Sequence, residues 1–389
     1  MPLAIAQAGA YLQESGVGLA AYLKFYEKQW SELMGSGDWV SAPLQDYPDR
    51  SVWTTWAISY QKIRDKHEAT ANLLLLWSFL DNKDLWHGLF AAGCEKSTVT
   101  EMMLSEWIGD IATNELEFSQ AMQLLRSYSL IEEVDATSYS THPVVHRWAY
   151  HYQGKHLEVK LGKLAVVTVG AAVPEQSARD SAPRQRRLLS HAHACSRWVY
   201  VAQLGQSDQD CNEGEEQHEL SSAIHGLGDL YADQGRLAEA EQMYKRALQG
   251  TEEALGPKHT STLGTVNNLG SLYKNQGRLA EAEQMYKSAL QGYMEALGVE
   301  RVQQYIPALN TIENLGNLYE AQGNYTEAHA MYAKALSGSQ GLLGQSSDRC
   351  KRLVAKMHAL PTSEPRREKQ PSHYTNKRLP KSITRRVGS

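Results

Sequence analysis

Histidines are the first residues to weigh, because two imidazoles four apart on one helix face are a standard way to hold zinc. His142 and His146 have that spacing, and His151 and His156 lie five apart. Pro143 follows the first of them and no glutamate sits beside it, so the metalloprotease helix that would use such a pair is excluded. These histidines are expected to be satisfied core or surface residues. Cys94, Cys195, Cys211 and Cys350 are scattered without paired spacing, which fits a reducing compartment and no zinc site. Gly16-Val17-Gly18-Leu19-Ala20-Ala21 has the outline of a dinucleotide fingerprint, but no strand precedes it, so it reads as a turn between two helices. A phosphate cradle needs Gly-x-x-x-x-Gly-Lys-Ser/Thr, whose backbone N–H groups and lysine hold the phosphates. Lys155 and Lys163 follow glycines yet lack both the earlier glycine and the following hydroxyl, and no apolar strand ends on a magnesium-holding aspartate. There is no Gly-x-Ser-x-Gly elbow, no cysteine–histidine signature and no framed carboxylate pair. The residues that could do chemistry therefore point away from an enzyme.

What the chain does instead is repeat itself. His225-Gly226-Leu227-Gly228-Asp229-Leu230-Tyr231 returns as Asn267-Asn268-Leu269-Gly270-Ser271-Leu272-Tyr273 and as Glu313-Asn314-Leu315-Gly316-Asn317-Leu318-Tyr319. Each copy runs into a glycine turn (Gly235, Gly277, Gly323) and a second apolar-periodic stretch ending on Tyr244, Tyr286 or Tyr332. In the first copy Ile224, Leu227, Leu230 and Tyr231 share one helical face, and Leu237, Ala240, Met243, Tyr244, Ala247 and Leu248 share the next. One such pair cannot bury its apolar face alone, so neighbours must stack into a solenoid. Gly228 and Ala240 are small where the two helices approach.

The pattern resembles tetratricopeptide repeats. The turn glycines Gly235 and Gly277 are about 42 residues apart, longer than the common ~34, and Leu255-Gly256-Pro257-Lys258-His259-Thr260 resembles the kinesin light chain subclass. The third copy starts about four residues late, with Pro307 opening its first helix. After it, Ser346 to Leu360 is expected to form a last helix, with Leu353, Val354 and Met357 covering the open end and Arg349, Lys351, Arg352 and Lys356 facing outward.

Upstream, Pro2-Leu3-Ala4 and the alanine-rich helix after it resemble the Gly-Leu-Pro-Leu-Ala motif of NB-ARC ATPases, the nucleotide switches of plant and fungal immune-type receptors. Ser51 to Tyr60, Ala71 to Leu80 and Asp84-Leu85-Trp86 are similar to the helical and winged-helix part that follows the nucleotide domain in fungal members. Leu73 to Trp77 is apolar all round, as a buried helix should be. Ser129 to Val134 and Tyr139 to His142 read as two strands around an Asp135-Ala136-Thr137 turn, the expected wing. Thr141-His142-Pro143 falls where that family has Met-His-Asp, so the resemblance makes Pro2 and His142 vestigial nucleotide contacts. Without a P-loop in these 389 residues, no cofactor is expected. ATP or ADP would enter only if a P-loop domain lies upstream.

The expected fold is mainly all-α: a helical and winged-helix body with a small β-hairpin wing, then a tetratricopeptide α-solenoid. Its expected divisions are a helical segment 1–37, a winged-helix-like domain 38–156, a connecting helical hairpin 157–205 and an acidic loop 206–220. Three repeats (221–344), a capping helix (345–360) and a disordered basic tail (361–389) follow. The hairpin comprises Leu157 to Val173 and Arg184 to Gln203, and it is expected to cap the first face of the array.

In a stacked array the first helices line the concave side. That places His225, Asp229 and Asp233 of the first repeat, Asn267, Ser271, Lys274 and Asn275 of the second, and Glu313, Asn317 and Glu320 of the third in the groove. Asparagine offers a donor and an acceptor, so it can pair with a peptide backbone without reading its sequence. In kinesin light chains the first asparagine of Asn-Asn-Leu lines the peptide groove, which by resemblance singles out Asn267. Asn268 and Asn314 are expected to tie neighbouring helices together. Acids from the first and third repeats with Lys274 suggest a ligand of mixed or mildly basic character.

Net charge is −5, giving no global case for nucleic acid, and no apolar run or signal sequence points to a membrane. The expectation is a cytoplasmic, non-catalytic scaffold that binds a protein or peptide, or another copy of itself, in an NLR-like signalling context. Basic clusters such as Arg385-Arg386 in the tail leave nuclear import open. One alternative is the C-terminal portion of an NB-ARC ATPase switch. The other, a kinesin-light-chain-type cargo adaptor, needs an N-terminal heptad coiled coil, which Met1 to Tyr60 does not show.

Overall fold

The computed structural model describes residues 2–35, 50–153, 155–174, 181–201 and 213–361. The basic tail expected beyond Pro361 and the first part of the acidic loop, 206–212, lie outside them.

The chain opens with α1 (Pro2–Ser15) and α2 (Leu19–Gly35), broken where Gly16 takes φ +66°. Tyr11 and Tyr22 close that corner with ring centroids 5.3 Å apart. Gln7 anchors α1. Its buried amide donates to the Ser129 carbonyl at 2.9 Å and accepts from the Trp56 indole.

Then come α3 (Arg50–Lys66), α4 (Glu68–Trp77), α5 (His87–Cys94), α6 (Thr98–Ile108) and α7 (Glu115–Ser127). Leu73 to Trp77 is buried on every side, as its uninterrupted apolar run requires. Ser97 and Asn114 cap α6 and α7 by accepting from backbone N–H groups in the first turn. The wing is β1 (Ile131–Asp135) antiparallel to β2 (Ser138–Thr141), with Ile131 opposite Thr141, and Leu85 adds a bridge to Tyr139 on its outer side. α8 (Pro143–Tyr152) follows it, placing Trp148 in the core beside the fully buried Trp56, with ring centroids 6.0 Å apart.

α9 (Lys155–Ala171) is followed by α10 (Ser181–Cys195) and α11 (Trp198–Val201). The expected single helix from Arg184 is thus broken at Ser196-Arg197. The break drops the Trp198 ring onto Gly162 of α9, where a Cβ would lie 2.7 Å from the indole, and Arg197 stacks over Tyr150.

The array consists of α12 (Glu213–Asp233) with α13 (Leu237–Leu255), α14 (Thr260–Asn275) with α15 (Leu279–Leu297), and, after the single turn α16 (Val299–Val302), α17 (Ile306–Ala321) with α18 (Tyr325–Leu343). α12 starts eight residues before the expected boundary at Ser221, so 213–220 is helix and not loop. Leu220 is buried there, and the acidic residues sit at the helix N-terminus, where the macrodipole favours negative charge. Within each pair a tyrosine of the second helix lies flat on a glycine of the first: Tyr244 on Gly228, Tyr286 on Gly270 and Tyr332 on Gly316. A Cβ at those glycines would come within 2.7, 2.8 and 2.6 Å of the rings.

The body holds the array's first face through α9. Gly170 crosses α12 so closely that a Cβ there would be 2.1 Å from the Ala223 carbonyl oxygen, and one at Gly226 would be 2.5 Å from that of Gly170. Lys96 donates to the carbonyls of Ala171 and Val173, and Thr100 donates to Glu219, lacing the joint's edges. The capping expected of the hairpin is carried mainly by this one helix.

At the far end α19 (Asp348–Ala359) takes the place of a fourth first helix. Gly344, φ +80°, occupies the position of Gly256 and Gly298, and Lys356 that of Asn268 and Asn314. His358 stands where the tyrosine-bearing glycine of the repeats would be. Leu353 is buried and Met357 packs beside it, but Val354 is exposed. Of the expected outward bases, Lys351 pairs with Asp348 and Arg352 stays largely exposed although it also reaches Glu313, while Arg349 and Lys356 turn back onto that carboxylate. Among the described residues no helix is long and apolar enough to cross a membrane.

Candidate partner-binding groove

The first helices α12, α14 and α17 stack side by side, and polar side chains join them in a ladder. Asn268 Nδ2 donates to His225 Nε2 at 3.0 Å and to Asp229 Oδ1 at 3.3 Å. One repeat on, Asn314 Nδ2 donates to Asn267 Oδ1 at 3.2 Å. At the last rung Lys356 Nζ reaches Glu313 Oε1 at 2.9 Å and Asn317 Oδ1 at 2.8 Å. Each donor occupies the same place in its repeat and meets the first residue of the preceding motif. Asn268 and Asn314 thus tie helices together, as their sequence positions led one to expect.

A second set of bonds runs within each repeat. The tyrosine that lies on the motif glycine puts its hydroxyl one residue further along the first helix. Tyr244 donates to Asp229 at 2.6 Å, Tyr286 to Ser271 at 2.9 Å, and Tyr332 to Asn317 at 2.8 Å and Glu320 at 2.5 Å. Burial, reinforced by Asp229, pushes the Tyr244 hydroxyl far above its ordinary range, so it stays a donor.

Two cavities open on this face. One, about 320 Å³, is lined by His218, His225, Thr265, Asn267, Asn268 and Asn310 among others. The second, about 530 Å³, is lined by Asp229, Asp233, Asn267, Ser271, Asn275 and Asn310, with Pro174 closing the body side. Asn267, Asn268 and Asn310 belong to both and form the ridge between them. The structure therefore brings His225, Asp229, Asn267, Ser271, Asn275 and Glu313 to the cavity walls. Lys274, Asn317 and Glu320 line neither cavity.

Two sequence expectations change. Asp229, Ser271 and Asn317 are already engaged by tyrosine hydroxyls, a consequence of the glycine contact that spacing alone does not reveal. Glu313, only 9% exposed, is no open acid. Arg349, Arg352 and Lys356 of α19 stand 3.3, 3.8 and 2.9 Å from its carboxylate. Asn310 was missed altogether. It lies three residues before Glu313, and the same offset gives Ser222 and Gly264, both lining the smaller cavity, so reading back one helical turn from each motif finds it.

The wing histidine sits elsewhere. His142 is exposed, caps α8 by accepting from Val144 N at 3.3 Å, and lines a cavity of about 610 Å³ with Lys83, Asp84 and Arg187. Pro2 is the first residue of α1, and among the described residues none of α1 lines that cavity. His146 is a satisfied core histidine. Its Nε2 faces the Trp77 and Leu80 carbonyls at 3.0 and 3.1 Å, and burial lowers its proton affinity.

Tetratricopeptide-repeat models match residues 219–295 and 308–348, and the chain carries these repeats. A "nucleotide-binding leucine-rich repeat (NLR)-like protein" of Hyaloscypha variabilis is 24% identical over 278 residues, 69% of this chain. The chain spans only 24% of that relative's length. Among solved structures, BtubC (BKLC) from P. vanneervenii is similar at 22% identity and TM-score 0.37, covering 62% of this chain and 92% of its own. A putative kinesin light chain with nearly identical TPR-like repeats from Podospora anserina is similar at 16% identity and TM-score 0.34, covering 45% and 76%.

Proposed function

Since tetratricopeptide repeats occupy residues 219–295 and 308–348, we propose that this protein is a non-catalytic scaffold that holds a protein or peptide partner on the concave face of the array. The observation that carries the reading is the pair of cavities meeting at the Asn267–Asn310 ridge. Their walls are rich in amides and hydroxyls, which can pair with an extended backbone, and the Asp229 and Asp233 carboxylates lie together at the first-repeat end of the larger cavity. That end suits a basic side chain of the partner. Lys274, Asn317 and Glu320 act, in this reading, at the rim or through the array's own bonds. No metal or nucleotide is assigned to the groove.

The NLR-like relative supports a signalling context, with the wing and its neighbouring helices relaying occupancy of the array. It equally supports the alternative that these residues serve as the C-terminal portion of a nucleotide-driven switch, with ATP or ADP held by a P-loop domain supplied from outside them. A cytoplasmic location accords with both, and self-association through the array is a further form of the first. The test is affinity capture with the full chain, comparing wild type with Asn267→Ala, Asn275→Ala and the double variant. Partners bound by the groove should be recovered several-fold less by the double variant. Equal recovery would remove this face as the binding site.

A further inference from the structure

His225 differs from its counterparts in the other repeats. Asn267 and Glu313 hold the same motif position, so of the ladder's acceptors only this one is an imidazole. Its two ring nitrogens both reach across to α14. Nδ1 lies 3.0 Å from Thr265 Oγ1, and Nε2 lies 3.0 Å from Asn268 Nδ2.

The proton count in this cluster follows from the neighbours. Asn268 also points Nδ2 at the Asp229 carboxylate, 3.3 Å away, and turns Oδ1 toward Asn267 Nδ2 at 3.2 Å. A carboxylate accepts and never donates while ionised, so the amide orientation is determined and Nε2 must accept. The remaining proton is on Nδ1, and Thr265 can accept it because its own hydroxyl proton goes to the Ser261 carbonyl. Every donor has an acceptor only while His225 is neutral.

Adding a proton to Nε2 sets two donors face to face at 3.0 Å. The nearest relief is Asp229 Oδ2, 3.6 Å from Nε2 and one helical turn along α12 itself. Tyr244 on α13, whose ring is 5.3 Å from the imidazole, is already committed to Asp229 Oδ1 and leaves Oδ2 open. The contacts from α14 carry no charge. Of the other titratable groups nearby, His218 shares the smaller cavity, and His259 caps α14 with its ring 6.4 Å from that of His218.

We infer that His225 is a proton-operated latch between the first two repeats. When neutral it clasps α12 to α14 through Nε2; when protonated it turns Nε2 to Asp229 and releases Asn268 into the groove. The inference rests on reading this face as the binding surface, and it adds the regulation of that surface. Release frees an amide for a ligand and loosens the wall of the smaller cavity, so occupancy would depend on pH.

The experiment needs no ligand, which separates its failure from failure of the groove reading. Ring-nitrogen NMR on the full chain at pH 8 should find His225 protonated on Nδ1 alone. Backbone hydrogen exchange, corrected for the intrinsic effect of pH, should then show the part of α14 that carries Thr265 and Asn268 opening about tenfold more at pH 5.5. The equivalent turns of α17, joined by Asn267 and Asn314, serve as the internal control and should not change. In His225→Gln the response of α14 should disappear. An Nε2-protonated ring at pH 8, or equal responses of the two joints in the wild type, would overturn the latch.

Discussion

Replacing Gly170 by alanine puts the packing of body against array to a quantitative test. Gly170 lies in α9, where alanine on propensity alone would stabilise by about 1 kcal/mol. The structure predicts the opposite outcome. The new methyl would sit 2.1 Å from the Ala223 carbonyl oxygen, against 3.4–4 Å for ordinary contact, so the two helices must part by over 1 Å. The obstacle is backbone and cannot swing aside as a side chain could. Overpacking of this kind costs about 3 kcal/mol or more when the neighbour cannot yield, leaving a net loss of about 2 kcal/mol after the propensity gain. Gly264 in α14 is the control, since the nearest atom to its added Cβ is the Tyr293 hydroxyl at 3.9 Å. Gly264→Ala should therefore gain several tenths of a kcal/mol. Urea denaturation of both variants, followed by helix ellipticity, measures the difference, and hydrogen exchange in α9 and α12 localises it. If Gly170→Ala is as stable as Gly264→Ala, the close crossing of α9 and α12 is wrong, and with it the rigid joint between body and array.

Burial lowers the proton affinity of His146 and His191, so both are neutral in the fold and charge more readily once unfolded. Their stabilisation is complete above the unfolded imidazole value of about 6.5 and is lost as pH falls below it. The urea midpoint should drop between pH 7.5 and 5.5, and less so in His146→Gln. Glu313→Gln should leave Arg349, Arg352 and Lys356 without their carboxylate and destabilise α19 by about 2–3 kcal/mol, read as faster exchange in that helix with α12 unchanged. Burial raises the Glu241 carboxyl, but Lys245, Gln276 and Arg278 outweigh it and hold it down at about 2. Its contribution should therefore persist to lower pH than that of an ordinary glutamate, and Glu241→Gln should weaken the joint of the first two repeats at pH 7 but not at pH 2. Tyr286→Phe removes the hydroxyl from Ser271 while keeping the ring on Gly270, and should cost about 1 kcal/mol in the same denaturation assay.

The repeats were legible in the sequence because their signal is local. A turn glycine, an apolar stripe and a tyrosine recur together, and each constrains only its own helix pair and the next. The wing was legible for the same reason, as two short alternating runs meet around Asp135. Spacing likewise identified which first-helix residues face one side, and hence that Asn267 and Asn275 reach the groove. Spacing could not say which of those side chains are already spoken for. That depended on contacts between residues distant in the chain. The tyrosine hydroxyls claim Asp229, Ser271 and Asn317 once the rings settle on glycine, and α19 folds back to cover Glu313. Gly170 and Gly226 look like ordinary helix glycines until the two helices cross. Periodicity determined the kind of surface this chain presents. The tertiary structure decided which polar groups on it are open, because a hydrogen bond across helices forms only when packing brings donor and acceptor within about 3 Å.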